Sequence, residues 1–154
     1  MSDIRRRTAS GLQTGDTFAI TRTFTETDVD AFAAVTRDDN PVHSDPRFVA
    51  LKGFEGRICH GLLVGGMVTE VGGQMGWLAS GMNFRFKKPV YFNDTVTCRV
   101  TLTAVDAQRR ATAEAVYTNQ HGDVVLEAEL FGVLPDAEER QVLSDLLTGE
   151  AGAR

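Results

Sequence analysis

The sequence predicts a single α+β domain, on three observations. Apolar residues in the first half recur at helical spacing, and the second half alternates apolar and polar residues with a period of two. Between them lies a long, mostly apolar, proline-free run that is rich in glycine. Helices followed by consecutive antiparallel strands form a sheet packed against an apolar helix. At 154 residues the chain has room for one core, not two.

The elements follow in order. The first dozen residues, with Gly11 and Gly15 close by, read as a flexible lead into a short strand around Phe18 to Phe24. Thr25 or Thr27 can cap the next helix, and Asp28 and Asp30 suit its N-terminal end. Val29, Phe32, Ala33 and Thr36 keep helical spacing until Asp39-Asn40-Pro41, where the residue before proline disfavours the helical region. A second short helix starts at Asp45 as cap with Pro46 in first position.

The run from Gly61 to about Gln74 predicts one buried helix. Gly65, Gly66, Gly72 and Gly73 lower its propensity, which close packing against a flat surface would offset. Val96, Cys98, Val100 and Leu102 then alternate with Thr95, Thr97, Arg99, Thr101 and Thr103, a strong strand pattern. Further strands are expected at Gly81 to Lys88, Arg110 to Asn119 and Val124 to Leu134, with a hairpin turn at Asn119 to Asp123 around Gly122. After Pro135, the segment Ala137 to Leu147 reads either as an amphipathic helix through Val142, Leu143, Leu146 and Leu147 or as a loosely held tail.

Composition narrows the function. A hydrophobic content of 42% and a charged content of 24% are those of a globular domain. The net charge of -5 and pI near 5.2 oppose a nucleic-acid partner, since phosphate binding needs clustered Lys and Arg. No stretch approaches the ~20 apolar residues of a membrane span, and no apolar signal core follows Arg5, Arg6 and Arg7, so a cytoplasmic protein is expected. Cys59 and Cys98 are expected to be reduced and buried. His43, His60 and His121 lack zinc-like spacing and no Cys pair accompanies them, so no metal is expected. Glu55 and Glu70 read as solvated or edge residues rather than a catalytic carboxylate pair.

Two strings carry potential chemistry. In Asp38-Asp39-Asn40-Pro41-Val42-His43 a proline turn can aim a carboxylate and an imidazole at one water, and histidine is the commonest general base at neutral pH. Taken alone, an ordinary Asx-Pro turn beside a structural histidine accounts for that string better. In Ile58-Cys59-His60-Gly61-Leu62-Leu63 a glycine opens the long helix, where an orphan backbone N–H can stabilise negative charge on a carbonyl oxygen. Alone, that string equally describes a chain turn with His60 packed at a helix start.

In combination, order and spacing, the two strings resemble the signature of the MaoC-like (R)-specific enoyl-CoA hydratases. The resemblance runs from about Gly15 to Leu134 and includes the helix Asp28-Val29-Asp30-Ala31-Phe32-Ala33 and the segment Phe84-Arg85-Phe86-Lys87-Lys88-Pro89-Val90 followed by Asp94. It implies a hot-dog fold, in which a curved antiparallel β-sheet wraps a long central helix, over residues 15–135. Residues 1–14 would then be a lead and residues 136–154 an extension. It also implies a homodimer, an acyl-CoA thioester substrate and no separate cofactor, because CoA is part of the substrate.

By the same resemblance Asp38 and His43 form the catalytic pair and the Gly61 N–H polarises the thioester oxygen. Asn40 is a neighbour in the catalytic loop, and Thr69 stands where related hydratases often carry an active-site serine. Lys87 and Lys88 are candidates to meet the CoA phosphates, although adjacent strand lysines point to opposite faces. Two alternatives remain open: dehydration of a 3-hydroxyacyl carrier-protein thioester, and a non-catalytic acyl-thioester-binding subunit.

Overall fold

The computed structural model describes residues 3–149. Its order is α1 (Asp3–Ser10), β1 (Thr17–Thr23), α2 (Glu26–Thr36), a 3₁₀ turn (Pro41–His43), α3 (Pro46–Leu51), α4 (Gly61–Gly65), α5 (Met67–Met75), β2 (Leu78–Phe86), β3 (Thr95–Val105), β4 (Arg110–Thr118), β5 (Val124–Val133) and α6 (Ala137–Thr148). The five strands form one antiparallel sheet in the order β1-β3-β4-β5-β2, leaving β1 and β2 at the edges. This is the α+β arrangement that the periodicities predict.

The inner face of the sheet is the one the alternation marks. Val96, Cys98, Val100 and Leu102 are buried, as are Ala111, Ala113, Ala115 and Tyr117 on β4. They share one core with Val68, Val71 and Met75 of α5. On the other face, threonines opposite each other on β1 and β3 pair their hydroxyls: Thr17 with Thr101, Thr21 with Thr97 and Thr23 with Thr95. Such cross-strand pairs fix register where no core contact does so. The hairpin between β4 and β5 turns at Gly122, with φ +81°, and Asn119 Oδ1 accepts from both His121 N and Asp123 N.

The central helix is interrupted. It divides at Gly66, where Thr69 N donates to Gly66 O, a contact three residues back. The carbonyl of Gly65 instead accepts the buried Tyr117 hydroxyl at 2.8 Å. A side-chain group inserted into the helical ladder is a recognised cause of a break. Close packing of the glycines holds for only part of the run. A Cβ on Gly61 would stand 2.5 Å from the Phe86 ring and one on Gly65 3.2 Å from Phe84, whereas Gly72 and Gly73 have open space.

The expected flexible lead is a helix within its described residues. Ile4 and Thr8, one turn apart, are buried, and α1 packs against α5 and α6. Arg7 secures it by donating to Thr17 O and Asp16 Oδ1. The C-terminal extension resolves to the helical reading: Asp136 and Glu139 form a capping box and open α6. Residues 1–2 and 150–154 of these two terminal segments lie outside the described residues. Among the described residues no helix is long and apolar enough to cross a membrane.

Candidate active site

The loop after α2 is built to present Asp38. Arg37 ends the helix in the left-handed region at φ 59°, its N–H donating to Ala33 O, and this reversal turns the chain toward the helix start at Gly61. Asp38 Oδ1 then accepts from Asn40 N at 3.2 Å, so one carboxylate oxygen shapes the loop while Oδ2 faces two histidines. Asn40 Oδ1 accepts from Val42 N and caps the 3₁₀ turn that carries His43. Asn40 therefore serves as a turn residue, the local alternative to a role in the site.

His43 is held by a reciprocal clamp. Ile58 N donates to Val42 O, and the Ile58 carbonyl lies 2.7 Å from His43 Nδ1. A carbonyl oxygen only accepts, so Nδ1 carries the proton and the Nε2 lone pair is free. Nε2 stands 3.8 Å from Asp38 Oδ2. That is too long for a direct hydrogen bond, and it suits a water that contacts both atoms.

His60 lies beneath this pair, 1% exposed. Its Nε2 is 3.1 Å from the Asp38 carbonyl oxygen and 4.0 Å from Asp38 Oδ2, and its ring stacks on His43 with centroids 3.7 Å apart. Asp38, His43 and His60 thus form a cluster of metal-ligating residue types that sequence spacing did not reveal. Its donor chemistry does not suit a three-ligand metal site, because the contact with the Asp38 carbonyl requires a proton on His60 Nε2. The alternative tautomer would bury an N–H at Nδ1, which has no hydrogen-bond partner.

These groups open onto a cavity of about 620 Å³, ordinary for a small-molecule site, with mostly apolar walls that include Phe32, Phe54, Ile58, Val64 and Leu126. Gly61 also lines it, as first residue of α4. Helix α4 has five residues, so Gly61 offers an orphan N–H rather than a sizeable macrodipole. The absence of a Cβ lets the Phe86 ring lie against this helix start and form part of the wall.

Cys59 also borders the cavity, but burial pushes its thiol pKa up to about 12, so it supplies no nucleophile near neutral pH. Burial raises Cys98 likewise, and both cysteines are free.

The remaining expected residues divide. Lys87 and Lys88 border the cavity, both beyond the end of β2, which stops at Phe86 instead of continuing to Lys88. Each already faces a carboxylate: Lys87 Nζ is 3.4 Å from Glu127 Oε2, and Lys88 Nζ is 3.0 Å from Asp123 Oδ1. Thr69 does not join the cluster. Its hydroxyl donates to Gly66 O at 2.6 Å, and it lines a different, apolar cavity with Trp77, Met82 and Phe131. It sits on α5, beyond the break at Gly66.

A five-stranded antiparallel sheet packed against a glycine-broken central helix defines a hot-dog domain, and an Asp–His pair stands at the start of that helix. The chain belongs to the family described as MaoC like domain, whose model matches residues 9–124. It is 33% identical over 132 residues to the (R)-specific enoyl-CoA hydratase of Aeromonas caviae, covering 82% of this chain and 98% of that protein. It is 29% identical over 136 residues to the mitochondrial 3-hydroxyacyl-[acyl-carrier-protein] dehydratase of Arabidopsis thaliana, covering 84% of this chain and 82% of that protein. The solved structure of the A. caviae (R)-hydratase involved in PHA biosynthesis superposes with a TM-score of 0.76 over 81% of this chain and 98% of that chain, at 33% identity. These likenesses support a hydro-lyase.

Proposed function

We propose that the protein is an (R)-specific enoyl-CoA hydratase, which adds water reversibly to a trans-2-enoyl-CoA to give an (R)-3-hydroxyacyl-CoA. The observation that carries this reading is the 3.8 Å gap between Asp38 Oδ2 and His43 Nε2, beside the Gly61 helix start and at the wall of an apolar cavity. A water in that gap donates one hydrogen to each acceptor and keeps a lone pair for C3 of the substrate. As the O–C3 bond forms, the Asp38–His43 pair takes the water's proton and the π electrons move toward the thioester oxygen. The Gly61 N–H meets that oxygen as it gains charge. The enolate then collapses, and the pair returns a proton to C2, so one water is consumed and the pair ends as it began.

The magnitudes are sufficient for catalysis. General acid-base help is worth about 10²- to 10⁴-fold, and one well-placed oxyanion donor about 3 to 4 kcal/mol. Lys87 and Lys88 are the candidate contacts for the CoA phosphates, in exchange for Glu127 and Asp123. No separate cofactor enters the scheme.

The test is loss of the conjugated thioester's ultraviolet absorbance when protein is added to crotonyl-CoA, with chiral analysis of the product. Rapid loss giving the (R)-alcohol is expected. No loss with crotonyl-CoA or with longer and branched enoyl thioesters would overturn the assignment in favour of an acyl-thioester-binding subunit. The likeness to the A. thaliana dehydratase favours a second reading in which the thioester is carried by a protein, running toward dehydration. Comparing kcat/KM for CoA and carrier-protein forms of one acyl chain separates the two.

We further propose that the working form is a homodimer. Edge strand β2 exposes Leu78, Met82 and Phe86, an apolar edge that a second copy would cover. Sedimentation equilibrium is expected to give twice the 16.8 kDa of one chain, and a monomer would remove this proposal.

A further inference from the structure

We propose that His60 is a positioning residue, holding the Asp38 main chain and the His43 ring in fixed relation through its Nε2–H tautomer; this rests on the reading of Asp38 and His43 as the working pair. His60 is almost completely buried, where an aromatic hydrocarbon side chain would fill the same volume without desolvating a polar group. Its ring lies between Phe32, with centroids 5.0 Å apart and planes tilted by 49°, and His43, stacked at 3.7 Å and 27°. What imidazole adds over a phenyl ring is the Nε2–H donated to the Asp38 carbonyl at 3.1 Å. One ring therefore touches both members of the pair, one through its edge and the other through its face.

The other nitrogen fixes the tautomer. Nδ1 is buried and has no hydrogen-bond partner. Moving the proton there would break the contact with Asp38 O and bury an unmatched donor, and a second proton would place a cation against the His43 face. The titratable groups facing His60 are His43 and Asp38, whose Oδ2 stands 4.0 Å from Nε2. Because Nε2 is already donating to a carbonyl, His60 does not compete with His43 for the water's proton. His60 thus sets the geometry, and the lone pair that receives a proton belongs to His43.

The test has two arms. In ¹⁵N-histidine-labelled protein, with His60 signals assigned by their loss in His60→Gln, His60 is expected to show a protonated Nε2 and a bare Nδ1. His43 is expected in the Nδ1–H form in the wild type and in His60→Phe alike, because the Ile58 carbonyl that fixes it is untouched. An Nδ1–H or doubly protonated His60 overturns the proposal.

The second arm compares kinetics in two variants whose thermal unfolding midpoints match the wild type. His60→Phe keeps the ring and loses the N–H, and is expected to lower kcat roughly 10- to 100-fold with little change in KM, as misplacement of reacting groups does. His60→Gln keeps a donor toward Asp38 O and is expected to recover most of that loss. Equal impairment of the two variants, or full activity in His60→Phe, overturns it. If wild-type protein hydrates no enoyl thioester, the functional reading falls, while the spectroscopic arm still decides the role of His60.

Discussion

Replacing Asp38 by Asn is expected to lower kcat for hydration by about 10²- to 10⁴-fold without loss of folding stability. The geometry makes this substitution selective. Asp38 Oδ1 accepts from Asn40 N, a bond that the amide oxygen of asparagine reproduces. The Asp38 carbonyl that meets His60 belongs to the main chain and is unchanged. The amide NH₂ is thereby directed to the Oδ2 position, 3.8 Å from His43 Nε2. There an acceptor for the water becomes a donor, which cannot take the water's proton. His43→Ala should fall in the same range, and the double variant should lose little more than either single one, because groups acting on one water are not additive. Steady-state kinetics of the three variants with crotonyl-CoA, alongside thermal melts, checks this. A folded Asp38→Asn protein with activity within a few-fold of wild type would remove Asp38 from the mechanism.

Much of the fold is legible because its signals are local. The alternation from Thr95 to Thr103 marks the buried face of β3, and of the two caps the sequence offers for α2, Thr25 and Thr27, the structure uses Thr25, in a capping box with Asp28. The proline turn between Asp38 and His43 is equally local, but its spacing alone reads as an ordinary Asx-Pro turn, and it is the family resemblance that singles out the pair. What is not legible depends on partners distant in the chain. At the break beside Gly66, the Gly65 carbonyl meets the Tyr117 hydroxyl, 52 residues further along the chain. Helix α1 is a polar octapeptide whose Ile4 and Thr8 are buried where it packs against helices α5 and α6. His60 stands in the motif by letter, but its stacking on His43 and its unpartnered Nδ1 are properties of the assembled site.

Tyr117 is where fold and site meet, and its removal should produce the largest stability loss among the variants considered. The side chain is fully buried in the core, with its hydroxyl on Gly65 O at 2.8 Å. Burial pushes its phenol pKa far above the ordinary value, so the hydroxyl remains a donor at any working pH. Tyr117→Phe keeps the ring and leaves the Gly65 carbonyl buried without that donor, which costs about 1 to 3 kcal/mol. Tyr117→Ala also opens a cavity, and by analogy with other large aromatic truncations should cost about 3 to 5 kcal/mol. Urea unfolding of both variants measures these losses. The functional consequence separates the two terms: α4 begins at Gly61 and the Tyr117 bond anchors its last residue, so a loosened break should shift the Gly61 N–H relative to the Asp38–His43 pair. Tyr117→Phe should therefore reduce kcat even under conditions where it is fully folded. Unchanged stability in Tyr117→Phe would mean that the break at Gly66 is held by the glycines and the packing of Phe84 alone.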